Sequence, residues 1–72
     1  MTATPEIIIN AACAAELRRL WERYEKAAVV YGELSPETDA DFMDYLSYLD
    51  VLKNQYSPRR VKQIMKLTGF DK

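Results

Sequence analysis

The chain has 72 residues, 49% hydrophobic and 29% charged, with a net charge of −1 at neutral pH. It contains no histidine and one cysteine, Cys13, which excludes an intrachain disulfide and removes the commonest metal ligand and general base. That length gives one domain burying about 60–65% of its unfolded surface, and no apolar run approaches the roughly 20 residues that span a bilayer.

The chain opens "MTATPEIIINAACAAELRR", without the basic leader and long apolar run of a signal peptide, so a cytoplasmic protein with a reduced Cys13 is expected. Three prolines follow hydroxyl residues, at Thr4-Pro5, Ser35-Pro36 and Ser57-Pro58. A Ser or Thr oxygen accepts a bond from an orphan N–H of the first helical turn, and the next proline supplies a helical φ without adding an orphan. Gly32 and Gly69 each follow an apolar run and can take the left-handed conformation that stops a helix. These signals predict three helices, near 5–31, 36–55 and 58–68, joined by short turns.

Two starts are open for the first helix. Ile7, Ile8 and Ile9 are β-branched and suit an extended arm, with Asn10 as an N-cap; Pro5 is the alternative start. Beyond Asn10 the residues Cys13, Leu17, Leu20, Tyr24, Ala27 and Tyr31 recur at heptad spacing, flanked by Trp21 and Ala28. Val29 and Val30 fall on the far side of the helix. Cys13 lies on the apolar seam with no histidine to activate it, which reads as a buried structural thiol.

In the second helix Phe42, Tyr45, Leu46, Leu49, Leu52 and Tyr56 form one stripe, while Met43 and Val51 lie off it. Residues 32–52 carry six carboxylates and no cation. Glu37, Asp39 and Asp41 load the helix start, where the macrodipole favours negative charge. Glu37, Asp41, Asp44 and Asp50 are candidates for an acidic docking strip. "DADFMD" lacks the glycine and distal glutamate of a calcium loop, so no metal is expected.

Val61, Ile64, Met65 and Thr68 share one side of the third helix, with Phe70 placed to pack on Met65 beyond the stop. Arg59, Arg60, Lys62 and Lys66 are candidate contacts for nucleic acid or another anion. Arg59 and Arg60 occupy a first turn, where cations are disfavoured. Either they meet an external phosphate, or the carbonyl end of the second helix, with Asp50, attracts them. A complete helix-turn-helix is not expected: with Gly69 as its turn "VKQIMKLTGF" reads as a first helix but the chain stops before a recognition helix, and a turn at Ser57 fails on residue type. With Ser57 as its turn, Lys53 would hold the small-residue position, and Gln63 and Lys66 would hold buried ones.

The sequence therefore predicts an all-α fold: a long helix, a hairpin partner and a short C-terminal helix closing the core. No catalytic constellation, cofactor or small-molecule substrate is expected. The functional expectation is a non-enzymatic regulatory or adapter protein acting through protein–protein contact as a homodimer. Its expected interface is Leu17, Leu20, Trp21, Tyr24, Val29, Val30, Met43 and Val51, centred on the seam of the first helix. Two rivals are a nucleic-acid-binding transcriptional regulator using the basic C-terminal helix, and an inhibitor presenting the acidic helix to a basic groove.

Overall fold

The starts of the second and third helices and the stops of the first and third rest on chemistry written locally. The computed structural model describes residues 5–70, in the order α1 (Pro5–Tyr31), α2 (Pro36–Gln55) and α3 (Pro58–Thr68). The Ser35 hydroxyl accepts from Thr38 N–H at 3.2 Å and the Ser57 hydroxyl from Arg60 N–H at 3.3 Å, each with proline in the first turn. Gly32 and Gly69 stop α1 and α3 with φ of 92° and 80°, a region that costs an L side chain about 1–2 kcal/mol.

The helix starts at Pro5, and the extended arm is not formed. Three β-branched residues cost a few tenths of a kcal/mol each in a helix. Against that, Asn10 does not cap: it is buried inside α1, and its carboxamide oxygen accepts from Arg60 Nε of α3 at 2.9 Å. Thr4, the expected cap, lies outside the described residues.

α1 and α2 form an antiparallel hairpin. Arg23 bridges to Asp41 at 3.2 Å, Tyr24 meets Phe42, and Trp21 meets Tyr45, so residue numbers fall along α2 as they rise along α1. The turn is held from inside by Thr38, which is fully buried and donates to the Gly32 carbonyl at 2.6 Å. α3 runs parallel to α1, from Arg60 beside Asn10 to Phe70 beside Trp21, and packs far more on α1 than on α2.

The core lies where all three helices meet. Leu17 and Ile64 are completely buried, with Cys13, Ala14, Leu20, Tyr45, Leu52 and Val61 around them and Trp21, Tyr48, Leu49, Tyr56 and Met65 packed at the edge. Each buried aliphatic side chain there contributes about 1.5–3 kcal/mol relative to exposure.

Three expectations are corrected by this packing. Leu17 and Leu20, expected on an intermolecular surface, are consumed by the chain's own core. The seam of α1 is a fold-forming seam because α2 and α3 both dock on it. Tyr31, its last member, is 58% exposed, since the pairing that sets Arg23 against Asp41 leaves Tyr31 opposite the turn. Leu46, expected in the stripe of α2, is exposed for a reason that leads to the site below.

Candidate protein-docking groove

The helices differ in length, and the difference leaves a surface open. At 1.5 Å per residue α1 is about 40 Å long and α3 about 16 Å. α3 covers the hairpin from Asn10 to Trp21, as its two end contacts fix. Beyond Trp21 about ten residues of α1 and the first ten of α2 continue, a further ~15 Å. Among the described residues no helix covers them on the α3 side.

A set of five aromatic rings lies where α3 stops. Trp21 meets Tyr24 at 5.0 Å between ring centroids, Tyr45 at 5.2 Å and Phe70 at 5.7 Å. Tyr24 meets Phe42 at 5.1 Å, and Tyr45 meets Phe70 at 6.5 Å. Such pairs add about 0.5–1.5 kcal/mol each beyond burial and hold the rings in place. Only Tyr45 is buried; Trp21, Tyr24 and Phe42 are half-buried and Phe70 is 39% exposed. Trp21, Tyr45, Met65 and Phe70 line a depression at the end of α3.

The depression opens into the uncovered part of the hairpin. On α1 Ala28 stands seven residues after Trp21 and is half-buried; on α2 Leu46 stands four after Phe42, beside the end of α3, and is 38% exposed at the near edge of this strip. Leu46, level with Leu20 in this register, is exposed because it stands about 100° round α2 from the buried Tyr45, at the flank of the stripe. The result is an uncovered strip that begins at this depression, with apolar, rigid aromatic groups in its floor, the composition of a protein-docking surface.

The remaining residues of the expected interface fall elsewhere. Trp21 and Tyr24 join the groove. Val29 and Val30 are 86% and 62% exposed at the far end of α1, and Met43 and Val51 are exposed on α2 away from the rings. The eight residues do not form one patch.

The basic set divides. Arg59, Lys62 and Lys66 are exposed and share the outer side of α3, and none has an ion-pair partner among the described residues. Arg60 turns inward. Its guanidinium lies 4.5 Å over the Tyr56 ring, donates to Asn10 and approaches Glu6 at 3.9 Å. It is therefore a strut between α1 and α3, and the expected attraction by Asp50 is replaced by these partners; Asp50 accepts from Asn54 instead, at 3.4 Å.

The acidic strip also divides. Glu37, Asp41 and Asp44 follow one face of α2, with Asp41 tied to Arg23. Asp50 stands six residues after Asp44, about 120° around the helix from it.

Cys13 is buried and free. Burial, with the Cys13 thiol as a second cause, pushes the Tyr48 hydroxyl up to about 12, and burial raises Tyr45 as well. Both phenols are thus held neutral, as core tyrosines are. Among the described residues no three metal-ligating side chains converge, and no helix is long and apolar enough to cross a membrane. No protein-family model, no curated protein and no solved structure matches the chain.

Two signals for this groove are legible in the sequence, the aromatic content and the shortness of the third helix. It carried no signal for which half of the hairpin α3 would cover, and that decides where the groove lies.

Proposed function

We propose that this protein is a non-enzymatic adapter that receives an amphipathic helix of another protein in the groove beyond α3. The observation that carries this reading is the mismatch of helix lengths, which leaves the aromatic cluster open at its upper edge. α3 is the template for the occupant. It lays Val61, Ile64 and Met65 into the first half of the same groove and keeps Arg59, Lys62 and Lys66 outside. A helix continuing along that line would meet Phe70, Trp21, Tyr24, Ala28 and Phe42, with Leu46 at its near edge, in the manner of helix-in-groove recognition. Rigid aromatic rings lose little side-chain entropy on binding and serve well as anchors.

The experiment is selection of helical peptides from a random library on the immobilised full chain, followed by binding to two variants. Leu46→Asp places a charge at the edge of the groove, and Val51→Asp places one on an exposed residue about 140° round α2 from it. Selected peptides are expected to lose binding to Leu46→Asp and keep it to Val51→Asp, with both variants retaining wild-type helical circular dichroism. Equal loss on both, or peptides indifferent to Leu46→Asp, rules the groove out.

The exposed cations of α3 support a second reading, contact with a nucleic-acid backbone. With Arg60 engaged inside the fold, that surface is reduced to Arg59, Lys62 and Lys66, with Lys53 nearby.

A further inference from the structure

The groove's rim specifies its occupant further, in an inference that rests on the docking reading above. Glu25 stands four residues after Trp21, one turn up the same side of α1, and Glu22 lies beside it on the outer edge. Asp39 stands three residues before Phe42, one turn up α2, and Glu33 sits in the turn that closes the hairpin. All four carboxylates are exposed, and none has an ion-pair partner among the described residues. Arg23 is taken by Asp41, and Lys26 stands about 140° round α1 from Trp21, where it lines a hollow with Arg23, Ala27, Val30, Tyr31 and Asp41. Glu22 shares the outer face of α1 with Arg18 and Arg19, which line a hollow with it, and with Lys26 one turn on. The carboxylates that border the apolar floor beyond α3 are therefore Glu25 on α1 and Asp39 on α2, with Glu33 at the closed end.

We infer that the occupant is a basic amphipathic helix of about three turns, with an apolar stripe for the rings and Lys or Arg on both flanks. Three turns is the length of groove left open. Complementary flanks steer the encounter and fix the direction in which the helix lies. A second copy of this chain is the poorer occupant. Two open halves packed face to face would set Glu25, Glu33 and Asp39 against their own copies, and like charges so placed oppose association. The copy's own basic helix is already committed by its apolar side to its own core.

The test uses two synthetic peptides of about 14 residues that share one apolar stripe and differ only in carrying Lys or Glu on its flanks. Fluorescence anisotropy is followed on the full chain, with Trp21 emission as a second reporter. The Lys peptide is expected to bind at least about 10-fold more tightly at low salt, and the gap is expected to close as salt is raised to about 0.5 M. Glu25→Lys with Asp39→Lys, two exposed positions, is expected to reverse the order. Equal binding of both peptides, lost on Leu46→Asp, would overturn the charge assignment while leaving the groove a docking site. Binding of neither peptide would overturn both. A dimer by light scattering that Leu46→Asp disperses would assign the groove to a second copy and overturn the inference.

Discussion

Arg60 Nε donates to the buried carboxamide of Asn10 across 2.9 Å, joining the first turn of α3 to α1 over fifty residues of sequence. The bond fixes where α3 sits along α1, and so fixes which half of the hairpin stays open. The Arg60 plane is also held over Tyr56, while its Nη2 is buried without a hydrogen-bond partner. A charged group in that position favours its acceptor strongly, because water no longer competes for it.

Asn10→Ala should accordingly cost about 1.5–3 kcal/mol, since it leaves a partly buried guanidinium with one fewer partner. Chemical denaturation of the single variants and of the Asn10→Ala, Arg60→Ala pair gives the coupling. Additive losses would show that the two side chains do not interact in solution.

Leu17→Ala should cost about 2–5 kcal/mol, a large part of the roughly 4–10 kcal/mol available to a chain of this size. Leu46→Ala should stay within about 1 kcal/mol of wild type, because Leu46 is exposed at the flank of α2. Thermal melts compare the two. Similar losses at both positions would place Leu46 in the core and close the groove.

The hairpin turn has its own test. The hydroxyls of Thr38 and Ser35 have two protons between them for three close contacts: Thr38 to the Gly32 carbonyl at 2.6 Å, Ser35 to the same carbonyl at 3.0 Å, and each to the other at 2.8 Å. The shortest contact gives Thr38 as donor to Gly32, with Ser35 sharing its proton between the other two. Thr38→Val keeps the shape and deletes that donor in a fully buried site, so about 1–2 kcal/mol of stability should be lost. A neutral result in denaturant titration would show that Ser35 alone holds the turn.

Tyr48 gives the protein an alkaline limit. Its hydroxyl is held neutral in the fold, up to about 12, against an ordinary value of 10.0. The folded state then binds this proton more tightly than the unfolded state does. The stabilisation is complete below pH 10.0 and is lost as pH rises from there towards 12. Tyr48→Phe should flatten the fall in melting temperature across that window. An unchanged slope in the variant would assign the alkaline loss to other groups.

The outer side of α3 predicts weak, salt-limited attraction to nucleic acid. Arg59, Lys62, Lys66 and Lys53 allow four phosphate contacts, so log affinity should fall with log salt no more steeply than about −3.6 on duplex DNA. A steeper slope, measured by anisotropy on a random duplex, would bring further cations into contact and favour the regulator reading.

Helix boundaries were legible because the signals act within one turn. Ser35 and Ser57 reach N–H groups three residues on, and Gly32 and Gly69 need only their own φ. The side of each helix that faces inward was legible too, through Leu17, Tyr45, Leu52 and Ile64. What could not be read was the position of one helix along another. Arg60 looked like a candidate phosphate ligand because its partner lies fifty residues away, and no local pattern links it to Asn10. Asn10 looked like a cap for the same reason. Tyr31 fits the core period but lies opposite the turn, where no helix faces it, and Leu46 falls at the flank of its stripe; how wide a stripe its neighbours cover is something periodicity within one helix cannot reveal.

The most direct measurement is a set of intermolecular nuclear Overhauser effects between a bound helical peptide and the isotope-labelled full chain. Contacts from the peptide's apolar side chains to Trp21, Tyr24, Phe42, Leu46 and Phe70 are the result this account predicts. Contacts confined to the outer side of α3, or to Val29, Val30, Met43 and Val51, would contradict it.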